Sequence, residues 1–214
     1  LHTGIHSFPT RRSSDLTVGW AHRDSERRLE PDAVFSVMSI SKVMTAVALM
    51  RCVERGEVSL LTPVAQVIPE FAKRGKGLVT IGQVLTHTAG MGMAQVALPI
   101  DRLGQLEHSV AAICELPLES APGEKVSYSA MMGYTILGEV VRRLDAAGRP
   151  LRRILEEDVF RPLGMTDTVF GRREDLQSRR VPVVVRDEDA PELNRAFLAA
   201  RDAAVVESTE LPSG

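Results

Sequence analysis

The chain has 214 residues, a formal net charge of −2, 44% hydrophobic residues and 25% charged residues. This composition predicts one globular domain, or part of one. The mixed charges provide neither a broad basic surface for nucleic acid nor an acidic tail. No apolar run approaches the roughly 18 residues of a membrane span. We therefore expect a small-molecule or peptide partner, with the oligomeric state left open.

The first 16 residues are set aside because "HSFPTRRSSDL" resembles the translation of a sequencing adapter. Residues 17–214 are then expected to form a partial domain. Because the true N-terminus is not visible, the location stays open between the cytoplasm and the periplasm or exterior. Cys52 and Cys114 have neither C-x-x-C spacing nor a histidine cluster around them, so we expect buried free thiols.

The credible part of the sequence starts with two short extended segments, predicted at residues 17–22 and 33–36. A helix is predicted next, from Ser39 or Ser41 to about Arg55, with Gly56 ending it. Its apolar residues lie on nearly every side, which predicts burial over most of its circumference.

Further helices are predicted along the middle of the chain. "PVAQVIPEF" indicates a short helix, and "TIGQVLTHTAG" a second one that opens with Thr80 and Gln83 in capping-box spacing and closes at Gly90. A helix is also expected over residues 106–114. After the turn "APGEK", two amphipathic helices are predicted at "MMGYTILGEVVRRL" and "PLRRILEEDVF", with Pro150 in the first turn of the second. Beyond residue 171 the strand candidate is "VPVVV".

Ser39 and Lys42 form an S-x-x-K pair at the start of the first long helix. Residues three apart lie on one helix face, so the hydroxyl and the amine can meet within a turn. A serine hydroxyl is a weak nucleophile unless a base takes its proton, and a lysine can do so where burial and a helix N-terminus favour its neutral form. The Ser39 backbone N–H could form half of an oxyanion hole. The spacing alone is weak evidence, because a snorkelling surface lysine also explains it.

The wider context is more specific. In order, the chain contains "PDAVFSVMSISKVMTAVALMRCVERGEVSLLTPV", "VTIGQVLTHTAGM", "APGEKVSYSAMMGYTILGEVV" and "VFRPLGMTDTVF". This series is similar to the serine β-lactamase-like superfamily, above all to class C β-lactamases, DD-peptidases and family VIII esterases. The resemblance implies an α+β (α/β) fold of the β-lactamase and penicillin-binding-protein type, present here mainly as its helical region with most of the sheet missing.

The same resemblance implies roles for individual residues. Ser39 would be the acylated nucleophile, Lys42 its proton-handling partner and Tyr128 the tyrosine of the family's Y-x-N box. Tyr128 suits a general base if the charge of Lys42 lowers its pKa. No metal or organic cofactor is expected.

The Y-x-N box is altered in this sequence, and this affects the expected substrate. Ser129 and Ala130 occupy its last two positions and are candidate substrate-binding residues. Ala130 replaces the usual Asn and cannot donate to a substrate amide, which favours a carboxylesterase-like hydrolase of small esters. The alternatives are a β-lactamase or D-alanyl-D-alanine peptidase, and a catalytically silent relative that binds penicillin or peptidoglycan.

Further expectations concern His87 and the motifs that the sequence lacks. The resemblance implies that His87 of "LTHTAG" is structural and hydrogen-bonded near a helix end. The absence of G-x-S-x-G argues against an α/β-hydrolase. The family's third motif, K/H-T-G or W-x-G, has no match after residue 171. We therefore expect exposed apolar surface on the Ser39 helix and little or no activity from these 214 residues alone.

Overall fold

The computed structural model describes residues 17–23, 25–92 and 105–183. These residues divide into a small unit, residues 17–36 with 174–183, and a larger unit, residues 37–173. Among the residues described, no helix is both long and apolar enough to cross a membrane.

The small unit contains a two-stranded antiparallel sheet of β1 (Trp20–His22) and β2 (Arg27–Arg28). The predicted strand at 17–22 is thus confirmed in its second half. The predicted extended segment at 33–36 forms an isolated parallel bridge at Val34, with Arg180, but no strand. Instead β2 pairs with β1, and the Arg28 guanidinium lies 4.0 Å from the centroid of the Trp20 ring. A 3₁₀ helix spans Glu174–Arg179. Of "VPVVV", residues 181–183 form no strand, and the remainder lies outside the described residues.

The larger unit is helical in its described part. Its helices are α1 (Ser41–Glu54), α2 (Ile81–Leu85), α3 (Leu106–Glu115), α4 (Met132–Leu144) and α5 (Leu151–Leu155), which continues as a π-helical turn over Glu156–Phe160. Three 3₁₀ segments lie at Met38–Ile40, Val64–Gln66 and Pro69–Gly75. The predicted helices at 106–114 and in the two amphipathic segments are confirmed. The short helix predicted in "PVAQVIPEF" is limited to the 3₁₀ turn Val64–Gln66, because Ile68 before Pro69 adopts a non-helical conformation and separates this turn from the next.

The capping box of α2 is present as predicted. The Thr80 hydroxyl accepts from the Gln83 backbone N–H at 3.2 Å, and the Gln83 side chain accepts from the Thr80 N–H at 3.0 Å. The predicted end at Gly90 is wrong, because α2 ends at Leu85 and His87 then takes a left-handed conformation with φ +59°. The chain therefore turns at His87, three residues earlier than predicted.

Helix α1 is covered on one side by α4, α5 and the π-helical turn. Its buried residues are Thr45, Ala48, Leu49 and Cys52. The apolar residues Ile40, Val43, Val47 and Met50 lie on another face and are 40–64% exposed. The expected burial over most of the circumference is therefore wrong, whereas the expected exposed apolar surface is confirmed. Cys52 and Cys114 are buried free thiols, as expected.

Helix α4 contains a buried carboxylate. Glu139 is 1% exposed and accepts hydrogen bonds from Arg142 and Arg143, each with a contact of 2.7 Å. Burial by itself would raise the pKa of the Glu139 carboxyl, but the two guanidinium groups outweigh it and hold that pKa below its usual range. Glu139 is therefore an ionised group inside the core, which amphipathic patterning did not predict.

Candidate active site

The local backbone presents Ser39 at the entrance to α1. Met38 has a left-handed φ of +49°, which is uncommon for a residue with a side chain. The Ser41 hydroxyl donates to the Met38 carbonyl at 2.5 Å, so a side chain of the first helical turn braces this conformation. Ser39 then lies in the 3₁₀ segment, exposed, and Lys42 lies in the first turn of α1.

Three of the sequence-predicted residues meet at one point. The Lys42 Nζ donates to the Ser39 Oγ at 3.0 Å, and the Ser39 Oγ lies 2.8 Å from the Tyr128 hydroxyl. The serine and the tyrosine are 89 residues apart in the sequence. One hydroxyl group therefore has an ammonium donor on one side and a phenol on the other.

The environment of Tyr128 favours its ionised form. A hydrogen bond from Lys42, and to a lesser extent one from Ser39, holds the pKa of the Tyr128 phenol below its usual value, although burial opposes both. The Lys42 Nζ also lies 5.1 Å from the centroid of the Tyr128 ring and 5.7 Å from that of Tyr134. A positive charge is thus placed against the phenol that faces Ser39.

The segment before α4 that contains Tyr128 is tied to the chain just after α2. The Gly123 N–H donates to the Thr88 carbonyl at 2.7 Å and the Glu119 N–H to the Gly90 carbonyl at 2.8 Å. Gly90 has a φ of +77°, and a Cβ there would lie 2.1 Å from the Ser120 carbonyl oxygen. A glycine is therefore required where these two segments cross.

The two candidate substrate-binding residues differ in placement. Ser129 is only 3% exposed, and its hydroxyl lies 3.2 Å from the His87 Nδ1. Gly133 makes room for that hydroxyl, because a Cβ at Gly133 would lie 2.6 Å from it. Ala130 is half-buried and follows directly. The side chain of Ser129 is thus directed to His87.

His87 of the "LTHTAG" motif has contacts whose partners the motif does not specify. The expected hydrogen bond near a helix end is present, since the Ser129 backbone N–H donates to the His87 Nδ1 at 3.3 Å. Burial is the main cause that holds the pKa of the His87 imidazole below its usual value, and the positive charge of Lys42 is the second cause. The neutral imidazole is therefore the prevailing form near neutral pH.

The remaining candidate features do not add residues to the site. Met132 is buried in the core, whereas Met131 is 59% exposed. A cavity of about 220 Å³ lined by Arg152, Phe160, Phe170 and their neighbours does not include Ser39. Among the residues described, no group of three or more His, Cys, Asp or Glu side chains could hold a metal ion.

Comparison with known proteins places the chain in a family. The beta-lactamase family model matches residues 10–209. The chain is 36% identical over 169 residues to the esterase EstB of Burkholderia gladioli, covering 71% of this chain and 42% of the esterase. It is 33% identical over 169 residues to penicillin-binding protein 4 of Amycolatopsis lactamdurans, covering 77% of this chain and 43% of that protein.

A solved structure gives the same relationship. A family VIII carboxylesterase superposes with a TM-score of 0.71 at 26% identity, covering 78% of this chain and 45% of the carboxylesterase. The chain thus spans less than half the length of these relatives. It has the fold of β-lactamases and penicillin-binding proteins, represented in the described residues by helices and one small sheet, and it belongs to the beta-lactamase family.

Proposed function

We propose that the complete protein is a serine hydrolase that cleaves small esters through an acyl-enzyme intermediate, with Ser39, Lys42 and Tyr128 as its catalytic residues. One observation supports this above the others. The Ser39 Oγ lies within hydrogen-bond distance of both the Lys42 Nζ, at 3.0 Å, and the Tyr128 hydroxyl, at 2.8 Å. This is the arrangement that an activated nucleophile requires.

The hydrogen-bond directions support Tyr128 as the group that takes the proton. A lysine ammonium can only donate, so the Ser39 oxygen accepts from Lys42 and its own proton is free to point to the Tyr128 oxygen. A phenol whose pKa is lowered by Lys42 can accept that proton. Lys42 then keeps the positive charge that stabilises the phenolate before the transfer.

The reaction follows in two halves. As the Ser39 Oγ attacks the acyl carbonyl, its proton passes to the Tyr128 oxygen, and the C–O bond to the alcohol breaks as that proton is delivered to the leaving oxygen. Water then attacks the acyl-enzyme, with Tyr128 taking a proton from the water and returning it to Ser39. The carboxylic acid leaves and the starting state is restored.

Ala130 supports an ester as the substrate. A methyl group at this position offers no donor to the amide carbonyl of a β-lactam or peptide, so those substrates lose a hydrogen bond that an ester does not need. The similarity to the esterase EstB agrees with this choice, whereas the similarity to penicillin-binding protein 4 supports recognition of a penicillin as the alternative.

The test compares p-nitrophenyl butyrate with nitrocefin as substrates of the complete protein, in wild type, Ser39→Ala and Ala130→Asn. We expect ester hydrolysis that Ser39→Ala abolishes and slow nitrocefin turnover that Ala130→Asn raises. Nitrocefin turnover that matches ester turnover in the wild type would contradict the ester assignment. Ester turnover that survives Ser39→Ala would contradict the mechanism. If penicillin binds reversibly without acylating the protein, the silent binding relative is the better description.

A further inference from the structure

His87 holds the backbone on both sides of Tyr128. Its carbonyl oxygen accepts from the Ser127 N–H at 2.9 Å, and its Nδ1 accepts from the Ser129 N–H at 3.3 Å. The residues on either side of Tyr128, Ser127 and Ser129, therefore both donate a backbone N–H to this one residue. Such a double attachment fixes the Cα position of the tyrosine and the direction in which its ring leaves the backbone.

The imidazole also contacts the phenol ring. The ring centroids of His87 and Tyr128 lie 4.8 Å apart with a tilt of 53°, and those of His87 and Tyr134 lie 5.6 Å apart. His87 thus lies between two tyrosine rings, one of which ends at the Ser39 hydroxyl. The imidazole restricts the side chain of Tyr128 as well as its backbone.

The backbone of His87 is unusual in a way that fits a positioning role. Its φ of +59° is left-handed, a conformation that few residues with a side chain adopt. Strain of this kind persists where surrounding contacts fix it, and here it brings the carbonyl and the imidazole of one residue to the same segment.

We propose that neutral His87 is a positioning residue that sets the phenol oxygen of Tyr128 between Ser39 and Lys42. This inference rests on the proposed function and extends it. The Ser129 N–H can only donate, so the Nδ1 must present a lone pair. A second proton on the imidazole would place an N–H against the Ser129 N–H and break the attachment.

Protonation of the His87 imidazole at low pH should disrupt this arrangement. The groups that face His87 are Lys42 from α1, Tyr134 from α4, and Tyr128 and Ser129 from the segment before α4. Lys42 is the positively charged group among them and disfavours a second positive charge on the imidazole. Below the lowered pKa of His87 the imidazole becomes charged, and Tyr128 loses its placement.

Two substitutions of His87 distinguish the contribution of its hydrogen-bond acceptor from that of its aromatic ring. His87→Asn places an amide oxygen where the Nδ1 lies, tolerates a left-handed φ and removes the titratable ring. His87→Phe keeps an aromatic ring between the two tyrosines and removes the acceptor. Both variants remove the imidazole, and they differ in the acceptor, in the ring and in how well residue 87 tolerates its left-handed φ. A thermal melt of each variant therefore reports any loss of folding that the backbone conformation causes.

The first readout is the ionisation of Tyr128, followed by tyrosinate absorbance in a pH titration. The chain contains two tyrosines, so the step missing from Tyr128→Phe identifies the relevant one. We expect the lowered Tyr128 pKa in wild type and His87→Asn, and a pKa near the ordinary tyrosine value in His87→Phe. A Tyr128 pKa that is unchanged in His87→Phe would overturn the proposal.

The second readout is the rate at which a fluorophosphonate probe labels Ser39. We expect His87→Asn to react within about threefold of wild type and His87→Phe at least about tenfold slower, since proton transfer depends on placement. In wild type, the labelling rate should fall as the pH drops through the His87 pKa. In His87→Asn, which has no imidazole to protonate, this fall should be absent. A His87→Phe variant that reacts at least as fast as His87→Asn overturns the proposal. Absent labelling of wild type with the expected Tyr128 titrations would refute the proposed function while supporting the role of His87.

Discussion

Tyr128→Phe removes one oxygen atom from the proposed catalytic group and leaves its ring in place. In the structure that oxygen lies 2.8 Å from the Ser39 Oγ, while Lys42 keeps its own contact at 3.0 Å. A positioned general base contributes about 10² to 10⁴ in rate, which corresponds to roughly 3 to 5 kcal/mol of barrier. Because Tyr128 is 43% exposed, the free energy of unfolding should change by less than about 0.5 kcal/mol.

The assay is the pseudo-first-order rate of fluorophosphonate labelling at Ser39, measured by intact mass. Tyr134→Phe is the matched control, because it removes the other tyrosine hydroxyl, which donates to the Leu85 carbonyl at 3.3 Å. We expect Tyr128→Phe to label at least about 100-fold more slowly and the control to stay within a few-fold of wild type. A Tyr128→Phe variant that labels within about threefold of wild type, with an unchanged melt, would refute the assignment of Tyr128 as the base.

Three further predictions test the supporting structure. Gly133→Ala should slow labelling and destabilise the protein by about 1 to 3 kcal/mol, because its methyl group would meet the Ser129 hydroxyl; a variant as stable and reactive as wild type would contradict this. Glu139→Gln should cost about 2 kcal/mol near pH 7 in urea unfolding. Because the folded pKa of Glu139 is depressed, its contribution is present above the unfolded pKa and is lost as pH falls through the folded pKa, so the difference from wild type should shrink in acid; a constant difference would disprove this. Val43→Gln on the exposed face of α1 should cost less than about 0.5 kcal/mol and Leu49→Ala about 3 kcal/mol, whereas equal losses would contradict one-sided burial.

Local features of the site were predictable from the sequence. The Ser39 and Lys42 spacing is a local property of one helical turn, and the distance of 3.0 Å between their side chains follows from it. The Thr80 and Gln83 capping box is equally local and has the predicted hydrogen bonds. Tyr128 is different, because a contact across 89 residues has no signature in spacing and was anticipated through the order of family motifs alone.

The missed features depend on tertiary contacts. The apolar residues around α1 predicted burial on most sides, but apolarity indicates only what could be buried, and neighbours cover one side. The early end of α2 depends on the left-handed conformation of His87, a residue type without the glycine signal for such a turn. Glu139 follows the charged pattern of an exposed position and is buried because two arginines neutralise it.

The activation of Ser39 is tested by intact-mass spectrometry of the purified chain after exposure to a fluorophosphonate, beside Ser39→Ala and a thermal melt. Labelling requires only an activated nucleophile, so it can occur even where substrate turnover needs more of the domain. We expect one adduct per chain, absent from Ser39→Ala. An adduct that persists in Ser39→Ala, or no adduct on a wild-type chain that melts cooperatively, would contradict the claim that Lys42 and Tyr128 activate Ser39.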